Sequence, residues 1–231
     1  MTELTQVGTL PDTRRARSET SFLTRRIYDA VAPFYTVSAR LFHADAHRAV
    51  LAAADVVNGT RVLELAIGSG ELFTRLVKAN PDGQTVGVDL SPKMAAYSQD
   101  AVRRRFPGAF AHCQAADARW LPFPAASFDN VICCYLFELL PPGEVPKALA
   151  ELRRVLRPDG RLTLTLVAQN KSSFNAAYRL GSRILPAFWG RQIDRDMAHL
   201  LPACGFVLKT DTYLRQGFYA SHVVSAQVNA I

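Results

Sequence analysis

The chain predicts a doubly wound α/β fold. Its seven-stranded sheet is mostly parallel, ends in a C-terminal antiparallel hairpin and carries a helical N-terminal cap. Three observations predict it. Short apolar runs alternate with helix-length amphipathic stretches from Arg61 to Ala168, as in a parallel sheet covered by helices on both faces. The run Val131-Ile132-Cys133-Cys134-Tyr135 is continuously apolar, as a strand buried on both sides must be. Two late strand-like segments, 206–214 and 218–227, are separated only by Arg215-Gln216-Gly217, too short for a crossover and therefore antiparallel.

Residues 1–20 are polar and aperiodic and read as a disordered tail, with residues 21–231 forming one domain. From Thr24 to Asp55, Ile27, Val31, Phe34, Val37, Leu41, Phe42, Val50 and Leu51 recur at three- and four-residue spacing, which predicts a helical cap over 21–57. Pro33 breaks that cap into shorter helices. Asn58-Gly59 turns the chain into a strand at 61–66, followed by a helix at 70–79. Pro81-Asp82-Gly83 leads into a strand at 84–89. Ser91 is then a good N-cap with Pro92 at the first helical position, opening a helix over 92–105. Strands at 110–115 and 129–135 follow. A helix over 144–156 ends at a sharp Arg157-Pro158-Asp159-Gly160 turn before a strand at 161–168. Residues 170–192, rich in Ser, Asn, Arg and aromatics, read as an inserted cap segment, and a helix over 193–203 ends near Gly205.

Composition narrows the class. The 231 residues, 49% hydrophobic and 20% charged, suit one globular domain. No stretch approaches the ~20 apolar residues that span a bilayer, and the N-terminus lacks a secretory apolar core, so a cytoplasmic location is expected. Net charge is +7, with clusters at Arg14-Arg15-Arg17, Arg25-Arg26 and Arg103-Arg104-Arg105. Without aromatics between the arginines, peripheral membrane contact or an anionic substrate ranks above nucleic acid. Cys113, Cys133, Cys134 and Cys204 form no CxxC or His/Cys cluster and read as reduced thiols, with no metal site expected.

The chemistry lies in Arg61–Glu71, RVLELAIGSGE, and in Asp89, 19 positions after Gly70. An apolar run that breaks at paired glycines, followed by a helix and a second run ending in an acid, is the layout of a nucleoside-binding βαβ unit. Glycines admit the ligand to the backbone, and the acid accepts hydrogen bonds from ribose. The dinucleotide pattern GxGxxG would put Phe73 third, where a small residue is required, and no GK[ST] follows for a phosphate loop. Glu64, Ala66, Gly68 and Gly70 instead place an acid before small residues at alternate positions.

This spacing resembles motif I, (D/E)xGxGxG, of the class I S-adenosylmethionine-dependent methyltransferases, with Ala66 in place of the first glycine. YDAVAPFYT at 28–36, AADARWLPFPAASFDNVIC at 115–133 and LRRVLRPDGRL at 152–162 resemble the ubiquinone/menaquinone-biosynthesis methyltransferases, although Thr36 replaces that group's second Asp. The resemblance implies a Rossmann-like fold and S-adenosyl-L-methionine as methyl donor, with S-adenosyl-L-homocysteine as product. Carried over residue by residue, it implies that Glu64, Ala66, Gly68 and Gly70 line the methionine end. Asp89 then binds ribose, Leu90 packs on adenine, and Asp117 with Ala118 addresses the base. Tyr28 and Tyr35 close over the cofactor, and Phe137 lies next to the transferred methyl. Structural roles stand beside these: helix capping for Asp89, turn formation for Asp117, core packing for Tyr28. Phe128 reads as core, Asp129 as structural and Glu138 as a surface carboxylate.

Methyl transfer needs alignment, and oxygen or carbon acceptors also need a base. No residue stands out as that base; the candidates are Glu138, His222 and Tyr35, with His43, His47 and Tyr135 behind them. The acceptor walls hold Tyr28, Phe34, Tyr35, Phe42, Phe137, Phe174, Tyr178, Phe188 and Trp189, next to Arg179, Arg183, Arg191 and Arg195. That composition fits a small lipophilic or aromatic acceptor: a lipid quinone precursor, a phospholipid headgroup or a secondary metabolite. The rival readings are a non-catalytic S-adenosylmethionine-binding regulatory protein and an RNA methyltransferase. The second lacks an (N/D)PPY-type motif where this chain has CYLFELLPP.

Overall fold

The computed structural model describes residues 44–169, 172–184, 190–216 and 219–229. The predicted tail, all of the predicted cap before Ala44, and the hairpin turn at Gly217 lie outside them. In chain order the elements are α1 (Ala44–Ala54), β1 (Arg61–Leu65), α2 (Glu71–Ala79), β2 (Gln84–Asp89), α3 (Pro92–Arg105), β3 (Ala111–Ala115), β4 (Phe128–Cys134) and α4 (Val145–Val155). They continue with β5 (Leu156–Ala168), α5 (Ser172–Ile184), α6 (Asp194–Ala203), β6 (Phe206–Gln216) and β7 (Tyr219–Val228).

The strands form one seven-stranded sheet in the order β3-β2-β1-β4-β5-β7-β6. β1 to β5 pair in parallel, and β7 runs antiparallel to both β5 and β6. The order reverses between β1 and β4, which opens a crevice at their carboxyl ends; ligands of doubly wound sheets bind there.

Strand alternation divides the core. Leu63, Leu65, Val131, Cys133, Leu162, Leu164 and Leu166 face α4 and α6 in the main cluster. Val62 and Ile132 face α1 and α2 on the other side. Helices form where one face is apolar: α4 buries Val145, Ala148, Leu149, Leu152 and Val155 at three- and four-residue steps. Ser91 caps α3 as expected, its side chain accepting from Met94 N–H at 3.2 Å, and Arg103, Arg104 and Arg105 sit in the last turn where the helix dipole favours cations.

The structure shifts several boundaries by a residue or two, and it extends β6 to Gln216, so that Arg215 and Gln216, expected in the connection, pair with Ala220 and Tyr219. β1 ends at Leu65 because Ala66 takes φ 55°. α4 ends at Val155, and β5 starts at once with Leu156 paired to Phe128. The Arg157–Gly160 stretch, expected as a free turn, is an irregularity within β5. Pairing resumes at Asn130 and Arg161, and Asp159 supplies the required bend at φ 61°.

Candidate active site

The loop after β1 is shaped by left-handed backbone at Ala66, Gly68 and Gly70, with φ 55°, 50° and 75°. Gly70 starts α2 without a side-chain cap. A Cβ there would come within 2.7 Å of Ser98 Oγ, which itself donates to Gly68 O at 2.9 Å, so the position demands glycine on two counts. Phe73, too large for a dinucleotide fingerprint, is fully buried. Gly87 on β2 makes its room: a Cβ at 87 would approach the Phe73 ring to 2.9 Å. The bulk that excluded one family is thus built into the core here.

Two acids converge beneath the loop. Asp89, half-buried at the end of β2, accepts from Gly68 N–H through Oδ2 and from Ser91 N–H through Oδ1, both at 2.9 Å. It ties the glycine loop to the start of α3 and retains further acceptor capacity, since a carboxylate offers about four lone-pair sites. Glu64 is 2% exposed, and its Oε2 has no hydrogen-bond partner among the described residues. Burial first, then the charge of Asp89, holds its carboxyl well above the usual range. An orphaned, buried carboxylate under a strained loop calls for a cationic ligand group.

Asp117 sits on the turn after β3. Its Oδ1 accepts from Arg119 N–H and Nε at 2.9 Å, and its Oδ2 from Nη2 at 2.6 Å. Arg119 also reaches Glu144 at 3.4 Å, and its guanidinium lies 5.0 Å from the centroid of the exposed Trp120 ring, whose face also carries Lys147 at 3.4 Å. Asp117 is therefore a turn former and half of an ion pair. The pull of Arg119 outweighs burial and keeps its carboxyl below the ordinary value.

At the exit of β4, Tyr135 has φ 55°, mirroring Ala66 at the exit of β1, so both strands that border the crevice end in strained non-glycine residues. Phe137 is 1% exposed and packs in the main core. Glu138 overturns the expectation of a surface carboxylate. It is 3% exposed, its Oε1 accepts from Val167 N–H at 2.6 Å, and its Oε2 is buried without a partner among the described residues. The short helical turn over Phe137–Leu139 directs it inward, because the apolar Leu136, Phe137 and Leu140 around it all pack on the core.

Comparison with known proteins shows the family. Residues 62–160 match a family model described as a methyltransferase domain. The chain is 36% identical over 171 residues to a demethylmenaquinone methyltransferase of Thermus thermophilus, covering 71% of this chain and 76% of that protein. The chain belongs to the class I S-adenosylmethionine-dependent methyltransferases, in the ubiquinone/menaquinone group. A C-methyltransferase of ubiquinone/menaquinone biosynthesis, UbiE of Bordetella avium, is 30% identical over 177 residues, 74% of this chain and 68% of that one. Among solved structures, the [4+2]-cyclase SpnF aligns with TM-score 0.76 at 18% identity, covering 91% of this chain and 97% of its own. The 1,6-didemethyltoxoflavin-N1-methyltransferase of Burkholderia thailandensis, solved with S-adenosylhomocysteine, aligns with TM-score 0.69 at 17% identity, covering 98% and 94%. These two share the fold.

The methyltransferase uses S-adenosylmethionine, and its crevice fits that molecule. Glu64 lacks a partner that an ammonium would supply, the loop after β1 carries left-handed backbone at Ala66, Gly68 and Gly70, and Asp89 stands at the carboxyl end of β2. Leu90 is half-buried beside Asp89, and Ala118 is buried in the main core next to Asp117. Tyr28 and Tyr35, with His43, Phe34, Phe42, Phe188 and Trp189, lie outside the described residues.

The remaining base candidates take up definite places. His222 on β7 is 2% exposed, its Nε2 is 2.6 Å from Asp211 Oδ1, and its ring stacks on Tyr213 at 4.1 Å. Tyr135 Oη pairs with Ser221 Oγ at 2.7 Å. His47 is buried on α1. Asp129 is structural as expected, accepting from Arg61 N–H at 2.8 Å and from Arg157 at 2.6 Å. Arg191 Nη2 donates to Leu140 O at 2.7 Å. The described cysteines are free thiols; burial raises Cys113 to about 12. Sequence reasoning missed Arg119 and Asp194. Arg119 was findable as the i+2 partner of an aspartate on a turn. Asp194 carried no local signal, since its partner, Gln169 N–H at 2.9 Å, lies 25 residues away.

Proposed function

We propose that this methyltransferase transfers the methyl group to a ring carbon of a lipophilic hydroquinone presented at a membrane surface. The observation that carries the reading is α5. It comes next in the chain after β5, buries Tyr178 and half-buries Phe174 with ring centroids 5.8 Å apart, and leaves Leu180 and Ile184 59% and 68% exposed, each next in sequence to an exposed arginine, Arg179 and Arg183. Exposed aliphatic side chains one turn apart, flanked by arginines, suit the interface of an anionic bilayer. No helix among the described residues is long and apolar enough to cross a membrane, so the contact would be peripheral. The named relatives support the chemistry: one acts on demethylmenaquinone, another is a C-methyltransferase.

The cofactor supplies a methyl group on sulfonium sulfur, already activated for displacement. The chain's part is to bind and orient. In this reading Glu64, Ala66, Gly68 and Gly70 hold the methionine end, Asp89 accepts from ribose, Leu90 covers adenine, and Asp117 and Ala118 meet the base edge. Asp117 then shares its oxygens with Arg119. Tyr28, Tyr35 and Phe137 complete the set as a proposal from family resemblance.

The test pairs co-sedimentation on phosphatidylglycerol vesicles with labelled-methyl transfer to reduced demethylmenaquinone in the same vesicles. Wild-type protein should bind and methylate. A Leu180→Ser/Ile184→Ser variant should lose vesicle binding while keeping its calorimetric affinity for S-adenosylmethionine. Protein that ignores vesicles and lipid extracts yet methylates a polar metabolite would refute the reading.

A further inference from the structure

Two buried carboxylates stand where the β4–β5 ladder breaks off. Parallel pairing runs to Cys134 opposite Thr165, and the last bond goes from Tyr135 N–H to Thr165 O at 2.8 Å. β4 then turns away, while β5 continues to Ala168. Alternate residues of a strand direct their N–H groups to the same edge, so Val167 and Gln169 present theirs to the edge that β4 has left. Glu138 Oε1 takes the first at 2.6 Å and Asp194 Oδ2 the second at 2.9 Å.

Each carboxylate spends one oxygen on this task. The others, Glu138 Oε2 and Asp194 Oδ1, are buried without partners among the described residues, in side chains 3% and 1% exposed. Capping an N–H needs a single acceptor, which a neutral amide would supply without burying charge. The second, ionisable oxygen therefore calls for a role of its own, and Glu138 stands just past the carboxyl end of β4, one of the two strands that border the crevice.

The surroundings fix Glu138 in place. Gly190 has φ 66°, and a Cβ there would come within 2.6 Å of Glu138 Cβ, so only glycine lets this segment lie against it. Arg191 N–H donates to Glu138 O at 2.8 Å. The charged and titratable groups that face the carboxyl are Asp194 from α6, Arg191 from the segment before it, and Cys133 and Cys134 from β4. Burial raises Glu138 to about 7; the Val167 N–H and Glu138's own backbone N–H oppose the rise, Asp194 adds to it, and Arg191 lowers it slightly. His222 is placed less well: it pairs opposite Leu166, two residues inside the end of β5, with its Nε2 engaged by Asp211.

We propose that Glu138 is the general base of methyl transfer, taking the acceptor's proton at Oε2, with Asp194 as the positioning residue beside it. The proposal rests on the reading that the acceptor is a hydroquinone. The acceptor O–H bond breaks and its proton moves to Oε2, leaving the electron pair on oxygen. That pair drives a ring carbon to bond with the methyl group as the methyl–sulfur bond breaks. The same carbon then loses its hydrogen as a proton, and Glu138 returns its own proton to the oxygen. One proton is released in all, and the carboxylate is regenerated.

The experiment measures single-turnover transfer to reduced demethylmenaquinone in phosphatidylglycerol vesicles from pH 5.5 to 9, alongside an infrared pH titration of the ligand-free protein. Wild-type rate should rise through an apparent pKa near 7. Glu138→Gln should run about 10²- to 10⁴-fold slower and lose that limb, with its affinity for S-adenosylmethionine kept. Asp194→Asn removes a like charge and should move the limb to lower pH. The infrared carboxylic-acid band titrating near pH 7 should be absent from Glu138→Gln. A Glu138→Gln protein that keeps both rate and limb, or a wild-type spectrum without the band, overturns the proposal while leaving the quinol reading intact. Wild-type protein that methylates no quinol overturns that reading, and this proton path with it.

Discussion

Glu138→Gln should make the folded protein more stable at neutral and alkaline pH, although it alters a buried polar residue. Glutamine keeps an oxygen for the Val167 N–H and puts an uncharged group where Oε2 has no partner among the described residues. The folded protein holds the Glu138 proton up to about pH 7, against an ordinary value of 4.5, mainly because burial penalises the charge. Between those two values the unfolded chain binds fewer protons than the folded one, so wild-type stability falls as pH rises. A difference of two to three pKa units corresponds to about 3 kcal/mol. The contribution of the neutral carboxyl is fully present below about pH 4.5 and is lost by the time pH has passed about 7. Urea unfolding followed by circular dichroism at a series of pH values isolates this term, because every other titrating group is common to both proteins. The gap in favour of the variant should widen by about 3 kcal/mol across that window and stay constant above it. Parallel stability curves would show that Glu138 is ionised and solvated in the folded state, and would refute the argument from burial.

The glycine loop offers two further tests. Asp89→Ala should weaken S-adenosylmethionine binding by about 10- to 150-fold in calorimetry, the loss of charge-assisted hydrogen bonds; unchanged affinity in a folded variant would remove Asp89 from the cofactor site. Gly87→Val should destabilise the domain by about 1–3 kcal/mol through overpacking, since even a Cβ at 87 meets Phe73 at 2.9 Å and Ile67 at 3.0 Å. Adding Phe73→Leu should recover part of that loss in thermal unfolding, and failure to recover any would place the strain elsewhere.

Much of the fold was legible because its determinants are local. The N-cap at Ser91, the helical spacing of Val145, Leu149 and Leu152, and the unbroken apolar run of β4 each sit within one element. A connection expected to be only three residues long forced β6 and β7 antiparallel, and the sheet shows them so, with Gln216 paired to Tyr219. The acids and glycines of the proposed cofactor loop were equally visible, because a nucleoside site is built from one βαβ unit. Boundaries failed where pairing overrides propensity: Arg157–Gly160 looks like a turn, yet the β4 edge draws Leu156 straight into the sheet.

By itself, then, the sequence determined the fold class, the family and the methyl donor. Each rests on residues close in the chain whose spacing has few physical solutions. Only the tertiary structure decided the character of Glu138. Whether a carboxylate is solvated or buried depends on what packs over it, and here that cover comes from Gly190, Arg191 and Asp194, more than 50 residues away. Its hydrogen bond exists only because β5 outruns β4 and leaves an N–H group unpaired. Such a vacancy in a ladder has no signature in either strand alone, so the burial of Glu138 appears only once the sheet is assembled.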